Sequence, residues 1–149
     1  MTMLLVIALA GRRAALPAER VNSVVGLASV VPVPHAPPHI AGLAALRSRP
    51  LTIVDCRVAL GFAPAEGGSA TDRAVVVEHG GHLYGLKVDG ADDIVAAEGE
   101  APAADAGDPG PGWREASLGT RESEAGPLLV LDIARLVSGP PAAPAMAAA

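Results

Sequence analysis

Two stretches of this chain repeat one another. Pro50-Leu-Thr-Ile-Val-Asp-Cys-Arg-Val-Ala-Leu60 and Pro127-Leu-Leu-Val-Leu-Asp-Ile-Ala-Arg-Leu-Val137 carry a proline, an apolar run, an aspartate and a terminal apolar residue in the same order. A second pair, Leu16 to Val25 and Leu86 to Val95, keeps its acidic and apolar positions in step. Self-similarity recurring in the same order marks a duplicated supersecondary unit, so the fold must be one that two similar halves can build together.

The local chemistry of the repeat says what that unit contains. Four apolar residues suit a buried strand, and the aspartate after them can offer its carboxylate to the free N–H groups that open a short helix. Asp55 and Asp132 are therefore expected to be N-caps with a structural role, and Gly61 and Gly139 stand where a left-handed residue would close each helix. Elsewhere, Val75 to His79 and His82 to Val88 flank Gly80-Gly81, a pair that supplies the positive φ of a tight hairpin. Leu4 to Ala10, Gly11-Arg12 and Arg13 to Leu16 form a weaker version of the same pattern.

About ten short strands in duplicated order, with only brief helices, predict a mostly β fold of two small β-barrels packed together, because short strands escape exposed edges most easily by closing. The small, polar stretch 63–71 reads as the loop joining the halves. It gives a first subdomain of about residues 1–64 and a second of about 72–138, with exchange of terminal strands possible. Residues 97–112 mix acidic residues, glycines and prolines without apolar periodicity and read as a mobile loop. Residues 139–149, rich in proline and alanine, have too little to bury and are expected to be a disordered tail beyond a single domain at 1–138.

Composition removes several function classes. A net charge of -5 with no basic run longer than Arg12-Arg13 opposes a phosphate backbone, so no nucleic-acid partner is expected. One Trp, one Tyr and one Phe leave the core to aliphatic residues. Cys56, the single cysteine, lies in an apolar run and reads as a small buried side chain in a reducing, cytoplasmic compartment. The opening apolar run lacks a preceding basic residue and is far shorter than the about 20 residues a bilayer requires, so it is expected to be a first strand rather than a signal or membrane segment.

A search for chemistry yields little. His35 and His39 are separated by Pro37 and Pro38, which denies them the shared face of a helical metal pair. His79 and His82 bracket a turn without further ligands beside them, Ser69 lacks a G-x-S-x-G elbow, and no phosphate-binding glycine loop is present. No catalytic residue, metal or cofactor is assigned.

His39-Ile-Ala-Gly-Leu-Ala-Ala-Leu-Arg-Ser-Arg-Pro-Leu-Thr-Ile-Val-Asp-Cys-Arg-Val-Ala-Leu-Gly61 resembles the G-x-x-x-L-R-G-x-x-x-P-x-x-D-L-x-x-x-L-G segment of CheW-like domains. Leu16-Pro-Ala with Val21, Val24 and Val25, the loop Val31-Pro-Val-Pro34, Val88-Asp-Gly-Ala with Ile94, and finally Leu131-Asp132 with Leu136 agree in order, so the resemblance spans roughly residues 3 to 138. It implies two SH3-like five-stranded barrels. It also implies a non-catalytic chemotaxis adaptor that joins the cytoplasmic tip of methyl-accepting chemoreceptors to the regulatory domain of a CheA-type histidine kinase, recruited to receptor arrays without entering the membrane. The residues it implies for partner contact are Leu46 and Arg47 of the L-R-G motif, together with Val21, Ser23, Val24, Gly42, Ser48 and Val88. Ser23 stands where many members have glutamate and Ser48 where they have glycine, so Arg47 must find another ion-pair partner, such as Asp55 or Glu19, or go without one. The readings from other classes are a small β-barrel ligand-binding or regulatory module outside chemotaxis, and a small metal-dependent hydrolase using the scattered histidines.

Overall fold

In the computed structural model, which describes residues 2–27, 29–63, 73–97, 110–124 and 126–139, short apolar runs separated by two-residue turns become antiparallel hairpins. β1 (Thr2–Leu9) and β2 (Arg12–Pro17) turn at Ala10-Gly11, one residue earlier than the sequence pattern suggests, with φ of 51° and 77°. β6 (Arg73–His79) and β7 (His82–Val88) turn at Gly80-Gly81, with φ of 61° and 83°. Positive φ at both central positions matches the right-handed twist of the flanking strands.

The other strands are β3 (Val21–Gly26), which follows the 3-10 turn Ala18–Arg20, β4 (Ile40–Leu46), β5 (Arg49–Asp55), β8 (Gly90–Ala97), β9 (Ser117–Ser123) and β10 (Gly126–Leu131). Among the described residues three short helices accompany the strands: α1 (Cys56–Ala59) after β5, α2 (Pro111–Glu115) before β9, and α3 (Ile133–Ser138) after β10. The carboxylate of Asp55 accepts from the N–H groups of Arg57 and Val58 at 3.0 and 3.4 Å, and that of Asp132 from Ala134 at 3.1 Å, so each repeated aspartate caps the helix behind its strand.

The strands form two sheets of one design. A closed barrel runs β1-β2-β10-β9-β8, and a five-stranded sheet runs β3-β6-β7-β5-β4. In each, a strand that precedes a capped helix lies parallel to the second strand of a hairpin: β10 beside β2, and β5 beside β7. The sheets do not divide at the loop near residues 64–72. Each half of the chain gives its leading hairpin to the sheet completed by the three later strands of the other half, so the exchange takes a whole hairpin, which for the first half includes the terminal strand β1. The barrel closes where Ala97 of β8 meets Ser123 of β9; the second sheet stays open between β3 and β4. The proposed tail from 140 onward, and most of the two long loops, lie outside the described residues.

Strand period explains the nearly continuous apolar runs. Leu4 and Val6 point into the barrel with Ala15, Leu128 and Val130, whereas Leu5, Ile7 and Leu9 join the large core shared with Val54, Val75, Val77, Leu86 and Val88 of the other sheet. Leu51, Ile53, Val76 and Leu83 fill the interior of the open sheet. Buried on both faces, these strands cannot alternate apolar with polar. At 20–33 cal/mol per Å2 of apolar area, the residues lining the shared core contribute roughly 1.5–3 kcal/mol each when fully buried, which holds the sheets together.

Candidate partner-binding groove

The β4–β5 connection sets the geometry of the groove. Leu46 pairs with Arg49, leaving Arg47 and Ser48 as a two-residue turn with φ of 50° and 69°. The turn projects Arg47 and Ser48 into solvent at the end of the open sheet. Because β3 and β4 do not pair there, an open groove of about 450 Å3 remains between them. Asn22, Ser23, Val24 and Val25 form one wall, Leu46, Arg47 and Arg49 the other, and Val76 and Leu83 the floor. Val24 is 37% exposed, an apolar side chain offered to whatever enters.

Of the residues singled out from sequence, Ser23, Val24, Leu46 and Arg47 thus share one surface, with Ser48 beside them in the turn. Val21 is half-buried against the shared core. Val88 and Gly42 are not on the surface and cannot touch a partner directly. Val88, 1% exposed, is core. Gly42 lies under the β3–β4 connection with φ 150°, and a Cβ there would stand 2.2 Å from the Val31 carbonyl oxygen. Its role is to let the backbone of Val31 approach, with Val31 N–H donating to Leu43 C=O at 2.8 Å and Leu43 N–H returning the bond at 2.9 Å.

Neither carboxylate considered for Arg47 meets it. Asp55 is engaged as a cap, and Glu19 borders a separate depression with Thr2, Met3, Ala18 and Ile94. Among the described residues Arg47 and Arg49 form no ion pair.

Sequence reasoning missed a clamp at the far end of β5 from the groove. Arg57 on α1 donates from Nη2 and Nε to the two carboxylate oxygens of Asp89 at 2.8 and 3.3 Å, and Asp89 also accepts from the N–H of Ala10 at 2.9 Å. Three connections from both sheets meet at this carboxylate. Burial pushes the Asp89 carboxyl upward, but the hydrogen bonds from Arg57 and Ala10 outweigh it and hold the group below the usual carboxylate range. The hydrogen bond to Asp89 raises Arg57 in turn. No local pattern announces a pair that meets across the fold.

His39 was equally opaque. It is 5% exposed, its Nε2 lies 2.8 Å from the Val137 carbonyl, and its ring fills the space that a side chain at residue 139 would need. His39 is thus a tie between β4 and α3, and Asp55 N–H donates to its carbonyl at 2.7 Å. His79 and His82 face each other across their hairpin, with the His79 ring 6.5 Å from Tyr84. No three metal-ligating side chains come together among the described residues. Cys56 is fully buried, and burial, followed by the charges of Asp55 and Asp89, pushes its thiol far above the ordinary range, which disfavours the nucleophilic thiolate. No described helix is long and apolar enough to cross a membrane.

Comparison with known proteins finds a structural likeness to the scaffolding protein TtCheW from Thermoanaerobacter tengcongensis, with a TM-score of 0.67, 20% identity and 89% of each chain covered. At that identity the likeness speaks for the fold. No curated protein matches the chain. The sequence model of the CheW-like domain matches residues 3–140, which takes in all of the strands and helices described above but for Thr2 of β1, and on that match the chain belongs to the CheW-like domain family.

Proposed function

We propose that this protein is a non-catalytic signal-transduction adaptor of the chemotaxis type, coupling the cytoplasmic tips of chemoreceptors to the regulatory domain of a CheA-type histidine kinase. The observation that carries the reading is the open groove of a CheW-like chain, with apolar side chains facing it from both walls at Val24 and Leu46 and, on its lip, the Arg47 guanidinium, which forms no ion pair among the described residues. Such a surface works by complementarity: an apolar anchor contributes affinity, and an oriented cation contributes register and rejects wrong partners. Its working place is the cytoplasmic face of a receptor array, reached through protein contacts.

Co-sedimentation with membranes carrying receptors and kinase tests the reading. The wild-type chain is expected in the pellet only when its partners are present. Arg47→Ala should weaken recruitment by about 2 kcal/mol, roughly thirtyfold, with an unchanged circular dichroism spectrum. Undiminished recruitment of Arg47→Ala would remove Arg47 from the contact, and failure of the wild-type chain to co-sediment would overturn the adaptor reading.

A further inference from the structure

The closed barrel shows what completes the open sheet. Aligning Pro127 with Pro50 and Ile94 with Val24 lays β9 on β4 and β8 on β3. In the barrel the seam is closed by Ala97 and Ser123; the corresponding residues of the open sheet, Leu27 and Leu46, do not pair. Among the described residues β4 therefore keeps a free outer edge past Leu43, whose N–H and C=O are taken by Val31. Residues two apart on a strand direct their backbone groups to the same edge, so Ala45 turns its N–H and C=O outward as Leu43 does. The partner of Ala45 on the inner side supports this, because it is Pro50, which has no N–H to give.

Exposed strand edges are ordinarily blunted with charge or proline, and β4, Ile-Ala-Gly-Leu-Ala-Ala-Leu, has neither. The charges come just beyond it. Arg47 and Arg49 are exposed, stand beside the same groove and form no ion pair among the described residues, although the chain as a whole carries a net charge of -5. An acidic segment would thus be repelled by the molecule at large and favoured at this lip, which fixes where it docks.

We propose that β4 accepts an extended segment of a protein partner as an added strand beside Ala45, with an acidic side chain of that segment on Arg47 or Arg49 and an apolar one on Val24 and Leu46. The proposal rests on the adaptor reading and specifies how its groove is filled. Main-chain hydrogen bonds to Ala45 supply affinity, and the two arginines set the register of the incoming strand.

The test uses the full chain with a purified chemoreceptor cytoplasmic fragment and, separately, a purified kinase regulatory domain. The partner that fills the groove is expected to slow amide hydrogen exchange at Ala45 at least tenfold. Ala45→Pro removes the outward donor at a position that makes no ladder bond to Pro50, and should weaken the same partner at least tenfold. The pair Arg47→Glu and Arg49→Glu should weaken it similarly and flatten its salt dependence. Binding that leaves the Ala45 amide exchanging at its free rate overturns strand addition while the adaptor reading stands, and this readout holds even if Ala45→Pro does not fold. Absence of binding by either partner to the wild-type chain overturns both.

Discussion

Ser48 occupies φ 69° next to Arg47 at φ 50°, conformations that cost a residue with a Cβ roughly 1–2 kcal/mol relative to the right-handed region. Positive φ at both positions makes this a turn whose twist matches that of β4 and β5. Serine, where the resemblance leads one to expect glycine, therefore carries strain at the tip that presents Arg47. Ser48→Gly is expected to raise stability by about 0.5 kcal/mol, the released strain being partly offset by glycine's larger entropy loss on folding. Urea denaturation would register this as a higher midpoint at unchanged slope, and a lower midpoint would show that the serine side chain is held by something of greater value. Arg47 and its companions Ser23, Val24 and Leu46 were legible in the sequence through the family motif. The burial of Val88 and Gly42 was not, because an apolar or small residue in a strand looks the same whether its face meets a partner or the second sheet.

The Arg57–Asp89 pair joins elements rather than residues, since it ties α1, the β7–β8 junction and the β1–β2 turn at Ala10. Both side chains are about a third exposed, so solvent screens the pair, and a value of about 1 kcal/mol is appropriate for its bidentate geometry. Asp89 is held below the ordinary carboxylate range in the folded protein, so its contribution is full above the unfolded value near 3.9 and is lost as pH falls through the folded one. Asp89→Asn should accordingly destabilise the protein by about 1 kcal/mol at pH 7, with the difference from wild type shrinking below about pH 4. Denaturation series at pH 7, 5 and 3 would check it; a difference that persists undiminished at pH 3 would show that the ionised carboxylate is not what matters. The capped helices and the glycine hairpin could be read locally because their chemistry lies within a few residues of chain. This clamp could not, as its three members are brought together only by pairing between strands far apart in the chain, β5 with β7 and β1 with β8.

Repetition in the sequence pointed to two similar β units, and the structure assigns their strands in an order that repetition alone does not reveal. A local pattern tells where a hairpin forms but not which sheet it joins, and here each hairpin joins the other half. Neither half contains a complete sheet. Fragments ending and beginning in the 64–72 connection are therefore expected to be unfolded separately and to regain β structure as a one-to-one complex when mixed, followed by circular dichroism and size exclusion. A fragment that folds alone would contradict the observed exchange. Interleaving also separates the ends of the described chain from the groove. The first strand and the last strand both belong to the closed barrel, and the sheet that bears Arg47 contains neither. A fluorophore or fusion partner attached before Thr2 would extend from the closed barrel, leaving the open sheet free to be watched while it is occupied.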